Sequence, residues 1–149
     1  MGSLNLPASG VVYVDTQISI YTVEKFPNYA PLCLPLWQAG QASVITIVSS
    51  ELSLLETLVM PLRNQDAALI SDYRHLLLHS DMKLLPITQE ILEDAARLRA
   101  QISGLKTPDA IHAATALRYG CALFITNDTG FRRVPGLPLV LLDEVFAAP

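Results

Sequence analysis

Charged residues and cysteines are both scarce in this sequence of 149 residues. Asp, Glu, Lys and Arg make up 16% of the chain, whereas hydrophobic residues make up 51%. Intrinsic disorder needs the opposite balance, because a disordered chain has too little apolar surface to bury. The two cysteines, Cys33 and Cys121, give no disulfide framework and are typical of a reducing compartment. We therefore expect one cytoplasmic domain, of a size that buries about 70% of its unfolded surface without covalent cross-links.

The sequence also lacks an apolar run long enough to span a membrane, despite a mean hydropathy of +0.37. Its first ten residues, MGSLNLPASG, have neither a basic region nor an apolar core, so they do not resemble a signal peptide. We predict that residues 1–10 form a flexible N-terminal tail and that residues 11–149 form a single domain. No membrane association is expected.

A surplus of basic residues is absent too. Ten Lys and Arg stand against fourteen Asp and Glu, which gives a formal net charge of −4. Proteins that bind nucleic acid usually carry the opposite balance, so this charge disfavours such a partner. Carboxylates that converge on divalent cations would change this expectation, because two bound ions would bring −4 to about zero. The placement of the acids therefore decides the question.

Short β-branched and aromatic runs alternate with helical segments along the chain. The predicted strands are Val11–Val14, Val44–Val48, Lys83–Ile87, Cys121–Thr126 and Leu139–Leu142. The predicted helices are one or two within residues 17–42, interrupted by prolines, and others that begin near Ser49-Ser50, Asn64, Thr88 and Thr107. Strands separated by helices favour a mostly parallel sheet that is covered on both faces. The predicted fold is a three-layer α/β/α sandwich with about five strands.

Two acidic residues follow predicted strands, at the edge where open α/β sheets collect their chemistry. Asp15 ends the first strand, and Asp128 comes directly after the fourth. Either side chain could instead cap a helix, and Asn127-Asp128-Thr129-Gly130 is also a good turn sequence. Local patterns alone leave both interpretations open.

Two further acids lie on predicted helices. Glu56 shares a face with Leu55 and Val59 on a helix that is apolar nearly all round. We expect this helix to be buried, and a buried carboxylate needs an Arg partner or a metal cation. Asp109 stands in the first turn of its helix, where the helix dipole alone would explain it. With the two acids at the strand ends, they supply the oxygen ligands that Mg²⁺ and Mn²⁺ prefer.

Four segments contain the acids and their neighbours. They are Val12-Tyr13-Val14-Asp15-Thr16, Ser50-x-x-Ser53-x-x-Glu56, Thr107-Pro108-Asp109-Ala110-Ile111-His112-Ala113-Ala114-Thr115-Ala116 and Phe124-Ile125-Thr126-Asn127-Asp128. In their order and spacing they resemble the PIN domain family, over roughly residues 11–145. The sequence resembles the small bacterial branch of that family, which includes VapC-type toxins of toxin–antitoxin pairs.

The resemblance implies a pocket of four acids that holds one or two Mg²⁺ or Mn²⁺ ions, namely Asp15, Glu56, Asp109 and Asp128. Thr126 matches the family's hydroxyl residue beside the metal, and Thr16 is a second supporting residue. Members of the family are metal-dependent ribonucleases, so the expected reaction is hydrolysis of RNA phosphodiester bonds, leaving a 5′-phosphate and a 3′-hydroxyl. The cation would lower the pKa of a bound water and stabilise charge on the scissile phosphate. The branch implies the toxin of a type II toxin–antitoxin pair.

One position departs from the family pattern. Where the family often has Asn or Ser after Asp-Thr, this chain has Gln17. The longer side chain could displace a hydrogen bond near the metal, which keeps open a PIN-like module that binds RNA or a partner without cutting. A haloacid-dehalogenase-type phosphatase would need a second Asp at this position, so it ranks last.

Several other residues have weaker interpretations. Lys106, Arg132 and Arg133 lie near the acids in sequence and are candidates for contacts with the RNA backbone. Exposed basic residues more often form an ordinary solvated surface. His112 lies one helical turn after Asp109 and could touch the rim of the pocket, but it is left out of the predicted site.

A partner surface is expected in the proline-broken stretch from Tyr21 to Trp37, which is rich in large apolar residues. Apolar residues in excess of what the core can bury mark an interaction surface. In the resembled family this early helical region contacts a second copy or an antitoxin peptide. The resemblance therefore implies a homodimer and a cognate antitoxin protein.

Overall fold

The computed structural model describes residues 2–149; Met1 of the predicted tail lies outside the described residues. Its strands are β1 (Val11–Val14), β2 (Thr46–Ser50), β3 (Lys83–Leu85), β4 (Leu123–Thr126) and β5 (Leu139–Leu141). Its helices are α1 (Thr16–Val23), α2 (Ala30–Gln41), α3 (Leu52–Arg63), α4 (Ala67–His79), α5 (Gln89–Gln101), α6 (Thr107–Arg118) and α7 (Leu142–Ala147). A short 3-10 helix covers Thr129–Arg133.

The five strands form one parallel sheet in the order β3-β2-β1-β4-β5. Val12 of β1 lies opposite Ile47 of β2 and Leu123 of β4. The chain builds outward from β1 to β3 and then returns to the other side of β1. The strand order therefore reverses between β1 and β4, and a crevice opens at the carboxyl ends of these two strands.

Alternate residues of the central strands pack into two separate cores, as the period of two in a strand requires. Tyr13 and Phe124 face a core that contains Ile91 of α5 and Ala110 of α6. Val14 and its neighbours face the other core, which includes residues of α1 and α2. The predicted three-layer sandwich with a parallel sheet of about five strands is confirmed.

Several predicted boundaries move by a few residues. Ser49 and Ser50 continue β2, and Glu51 is the residue that precedes α3; Ser49 Oγ donates to the Val14 carbonyl at 2.7 Å, whereas Ser50 Oγ accepts from the backbone nitrogen of Leu52 at 3.1 Å. Helix α4 is capped by Asp66 and not by Asn64, which ends α3. The prolines interrupt the early helical region only once, since α2 continues through its internal proline.

The N-terminal segment packs against the domain where the sequence predicts a flexible tail. Residues 2–7 form no helix or strand, yet Leu4 is buried in the core beside α1 and α2. The backbone nitrogen of Gly2 donates to the carbonyl of Val145 at 3.1 Å. Apolar burial and this backbone hydrogen bond together hold the segment to α7.

Helix α3 is not buried as predicted. Leu55 is 63% exposed and Leu62 is 58% exposed, and Val59 is exposed as well. The buried stripe of the helix instead carries Ser53 and Thr57. Ser53 Oγ lies within hydrogen-bond distance of hydroxyls on α1 and β2, at 3.0 and 2.9 Å, so a polar face points inward.

Two further features bear on the class of protein. Cys33 and Cys121 are both buried and free. Within residues 2–149, no helix combines the length and the apolar character needed to cross a membrane.

Candidate functional site

Four acidic side chains line one cleft of about 220 Å³ at the carboxyl ends of β1 and β4. They come from four places in the chain: Asp15 between β1 and α1, Glu56 on α3, Asp109 in the first turn of α6 and Asp128 after β4. Thr16, Gln17 and Ile20 complete the lining. The structure thus brings together all four acids that the sequence nominates, and no basic side chain of the described residues lines the cleft.

Asp15 accepts a hydrogen bond at each of its two carboxylate oxygens. It is buried and caps α1: its Oδ1 accepts from the backbone nitrogen of Thr16 at 2.7 Å. Its Oδ2 accepts from Thr126 Oγ1 at 2.7 Å. Thr126 Oγ1 also accepts from the backbone nitrogen of Asp128 at 3.1 Å. The Thr126 hydroxyl therefore links the two acids at the strand ends.

Asp128 and Gln17 meet at the loop that follows β4. Asp128 Oδ1 accepts from the backbone nitrogen of Gly130 at 2.8 Å, as the turn interpretation of this residue predicts. Gln17 Oε1 accepts from the backbone nitrogen of Asn127 at 3.3 Å. The longer amide side chain therefore reaches the loop and makes a hydrogen bond there.

Asp109 carries a charge that its surroundings do not balance. Its side chain accepts no hydrogen bond from any residue between Gly2 and Pro149. Burial raises the pKa of the Asp109 carboxyl, and the neighbouring charges of Asp128 and Asp15 raise it further. Burial likewise raises the pKa of Asp15, although His112 and Thr126 partly oppose it. A cation in the cleft would supply the missing positive charge.

Glu56 has a buried side-chain partner among the described residues, and this partner is a histidine rather than an arginine. His112 is 1% exposed, and its Nε2 lies 2.7 Å from Glu56 Oε1. Burial favours a higher pKa for Glu56, but the hydrogen bond and charge of His112 outweigh it and lower the pKa. For His112, burial favours a lower pKa, and Glu56 with the other acids raises it instead.

His112 is the residue of this site that the sequence prediction omits. It lies three positions after Asp109 on α6, hence on the same side of the helix. It is the one titratable side chain in a buried run of small and apolar residues, from Ala110 to Ala116. That contrast is the signal from which it could have been chosen. It stands behind the cleft, not at its rim.

The donor chemistry of the cleft fits a hydrated Mg²⁺ or Mn²⁺ ion. Among the described residues, no three His, Cys, Asp or Glu side chains are grouped so that they alone could hold a metal. Mg²⁺ does not require such a cage, because it usually keeps several waters and binds one or two carboxylates. Hard oxygen donors, an open cleft and raised carboxyl pKa values together match that mode of binding.

The three basic residues predicted to contact RNA lie outside the lining of the cleft, and all are exposed. Arg132 forms an ion pair with Glu144. Arg133 donates from Nη1 to the Ser103 carbonyl at 2.6 Å and from Nε to the Gly130 carbonyl at 3.2 Å. It thus ties the loop before α6 to the loop after β4. Lys106 precedes α6 and remains a predicted RNA contact.

Comparison with known proteins identifies a family and a group of similar structures. The family model described as PIN domain matches residues 12–137. No curated protein matches the chain. VapBC2 from Rickettsia felis, bound to a DNA fragment from its promoter, is 18% identical over 88% of this chain and 98% of that chain, with a TM-score of 0.71. A toxin–antitoxin complex from Klebsiella pneumoniae is 25% identical over 88% and 97%, with a TM-score of 0.66. VapBC-5 from Mycobacterium tuberculosis is 21% identical over 91% and 98%, with a TM-score of 0.55.

Proposed function

The chain belongs to the PIN domain family, and from this membership and its acidic cleft we propose that it is a metal-dependent endoribonuclease. We propose further that it is the toxin of a type II toxin–antitoxin pair. The single observation that carries the proposal is the convergence of Asp15, Glu56, Asp109 and Asp128 on one cleft at the reversal of strand order. The family membership confirms the resemblance drawn from the sequence motifs.

In this proposal the four carboxylates hold one or two Mg²⁺ or Mn²⁺ ions. Such an ion, when bound, activates a water and stabilises charge on the phosphate. Asp15 is prepared for this role, because Thr16 and Thr126 fix both of its oxygens. Asp109 has no competing donor among the described residues, so its oxygens are available to a cation. Without a cation, four acids would repel an RNA phosphate from the cleft.

The proposal is tested by incubating the purified protein with a panel of structured RNAs in Mn²⁺, in Mg²⁺ and in EDTA. We expect cleavage in the metal buffers and none in EDTA, with 5′-phosphate and 3′-hydroxyl ends on the products. Cleavage that persists in EDTA would contradict metal dependence. Metal and RNA binding without turnover would favour the non-cutting module instead.

Gln17, the departure that keeps the non-cutting alternative open, gives it little support. Its amide oxygen accepts from the Asn127 nitrogen and so ties α1 to the loop that carries Asp128. No acid of the cleft is displaced by the longer side chain, since Asp15 and Asp128 keep their own hydrogen bonds. We therefore place catalysis ahead of mere binding.

We also propose a cytoplasmic homodimer with a cognate antitoxin as a further partner. Phe26 and Leu34, within the apolar stretch from Tyr21 to Trp37, are 39% and 54% exposed. The similar structures include toxin–antitoxin complexes. Light scattering at micromolar concentrations should give twice the chain mass of 16.3 kDa. A single species at the monomer mass over that range would rule out the homodimer.

A further inference from the structure

A buried chain of hydrogen bonds runs from the interior of the sheet to the wall of the cleft. His112 stands at its centre with a partner on each ring nitrogen. Nδ1 lies 2.6 Å from the hydroxyl of Tyr13, which is itself fully buried on β1. Nε2 lies 2.7 Å from Oε1 of Glu56 on α3. The three residues that form these hydrogen bonds therefore come from β1, α6 and α3.

The direction of these hydrogen bonds follows from the chemistry of the groups. An ionised carboxylate only accepts, so the ring nitrogen that faces Glu56 must carry the proton. In a neutral ring, Nδ1 is then an acceptor, and the hydroxyl of Tyr13 donates to it. Glu56 thus selects the Nε2–H form of His112, and the hydroxyl of Tyr13 can donate to the Nδ1 of that form.

The contacts of Glu56 distinguish between its two oxygens. Thr16 Oγ1 donates to Oε1 at 2.8 Å, and His112 Nε2 contacts the same oxygen at 2.7 Å. Both hydrogen bonds that Glu56 accepts from described side chains therefore go to Oε1. Oε2 is the oxygen that remains for a ligand in the cleft.

We propose that His112 is a positioning residue of the acidic cleft, which fixes Glu56 through Oε1 so that Oε2 serves the cation, while Tyr13 fixes the histidine ring. This inference rests on the proposed function, because it assumes that Glu56 serves a cation. Substitution of a residue that orients a metal-binding side chain commonly lowers metal affinity or activity about 10- to 100-fold.

Two amide variants of His112 separate a positioning role from simple core packing. In His112→Gln the amide nitrogen can take the place of Nε2 and still donate to Glu56. In His112→Asn the amide can take the place of Nδ1 and face Tyr13, but it is too short to reach Glu56. Both variants put a neutral polar group at the same buried position, so they should lose similar thermal stability in EDTA.

The affinity for Mn²⁺, measured by titration calorimetry, distinguishes the two roles. A loss of core packing alone would affect this affinity equally in the two variants. We expect His112→Asn to weaken Mn²⁺ binding about 10- to 100-fold, and His112→Gln to stay within about threefold of the wild type. Equal affinities in the two variants, with normal binding by the wild type, would overturn the positioning role and leave the proposed function standing. A wild type that binds no Mn²⁺ would overturn both.

A second measurement needs neither metal nor a variant that folds. Proton–nitrogen correlation spectra of the histidine rings in the metal-free wild type should show a proton on Nε2 of His112, protected from rapid exchange by burial. A ring protonated on Nδ1 alone would overturn the proposal, since it could not donate to Glu56. A third test does use a variant and metal: Tyr13→Phe, which keeps the ring volume, should weaken this protection and loosen Mn²⁺ binding in the same direction as His112→Asn.

Discussion

Asp109→Asn is expected to abolish RNA cleavage while the fold is retained. The substitution replaces one carboxylate oxygen with an amide nitrogen, which does not bind Mg²⁺ or Mn²⁺. No described side chain or backbone group donates to Asp109, so folding loses no hydrogen bond. Charge stabilisation by a metal is worth several kcal/mol, and we therefore expect the cleavage rate to fall by at least about 100-fold.

The same variant should melt at a higher temperature than the wild type when metal is removed. The pKa of Asp109 is raised above its ordinary value of 3.8 by burial and by Asp128 and Asp15, so its ionised form costs stability in the fold. This cost is absent below pH 3.8 and is complete once the pH exceeds the raised pKa. The gain of the variant should therefore be present at pH 7 and vanish near pH 3.8.

Asp72→Asn provides the matched control for both effects. Asp72 is an exposed acid on α4 that lies outside the lining of the cleft, and its substitution makes the same change of charge. Its cleavage rate and melting temperature in EDTA should equal those of the wild type. Undiminished cleavage by Asp109→Asn would remove Asp109 from the catalytic site.

The sheet could be predicted from sequence because the residues that define each strand are adjacent in the chain. The central strands β1 and β2 are short runs rich in β-branched residues, and helices between successive strands favour parallel pairing. The boundary at Ser49-Ser50 could not be placed in this way. Serines after an apolar run are typical of a helix cap, whereas here a bond from Ser49 to the Val14 carbonyl keeps them in the strand.

The prediction that α3 is buried was wrong because apolar residues occur on all sides of this helix. With leucines on several sides, the pattern does not determine which face is buried. The buried face is determined by hydrogen bonds to other elements: the Ser53 hydroxyl pairs with the hydroxyl of Thr16 on α1 and with that of Ser49 on β2. Leu55 and Leu62 consequently point outward, on a helix whose inner face is polar.

The acids at the strand ends can be recognised from residues next to them in the sequence, whereas the role of the histidine depends on residues far away in the sequence. Asp15 and Asp128 are marked by neighbouring residues, because each follows a strand. The role of His112 depends on Glu56, 56 positions away, and on Tyr13, 99 positions away. No local pattern contains contacts over such separations, so the sequence indicates only that His112 lies near Asp109.

Binding of Mn²⁺ is expected to stabilise the folded chain by about 2.7 kcal/mol at a free concentration one hundred times its Kd. For a domain of this size that corresponds to a rise in melting temperature of about 5–10 °C over the value in EDTA. The physical reason is that the four acids converge only in the fold, so the unfolded chain offers no comparable site. Identical melting curves in Mn²⁺ and in EDTA would contradict a carboxylate site for the metal.

Asp109→Asn tests whether the stabilisation by Mn²⁺ and the mutual repulsion of the acids arise from the same charges. If the charge that raises the pKa of the cleft carboxyls is also the charge that binds the cation, one substitution must change both quantities. The variant should gain stability in EDTA and lose most of the rise produced by Mn²⁺, whereas Asp72→Asn should keep the full rise. A variant that gains stability in EDTA but keeps the full rise would show that Asp109 repels its neighbours without holding the ion. The metal would then lie closer to Asp15 and Asp128, whose oxygens are already oriented by Thr126 and by the backbone of Gly130.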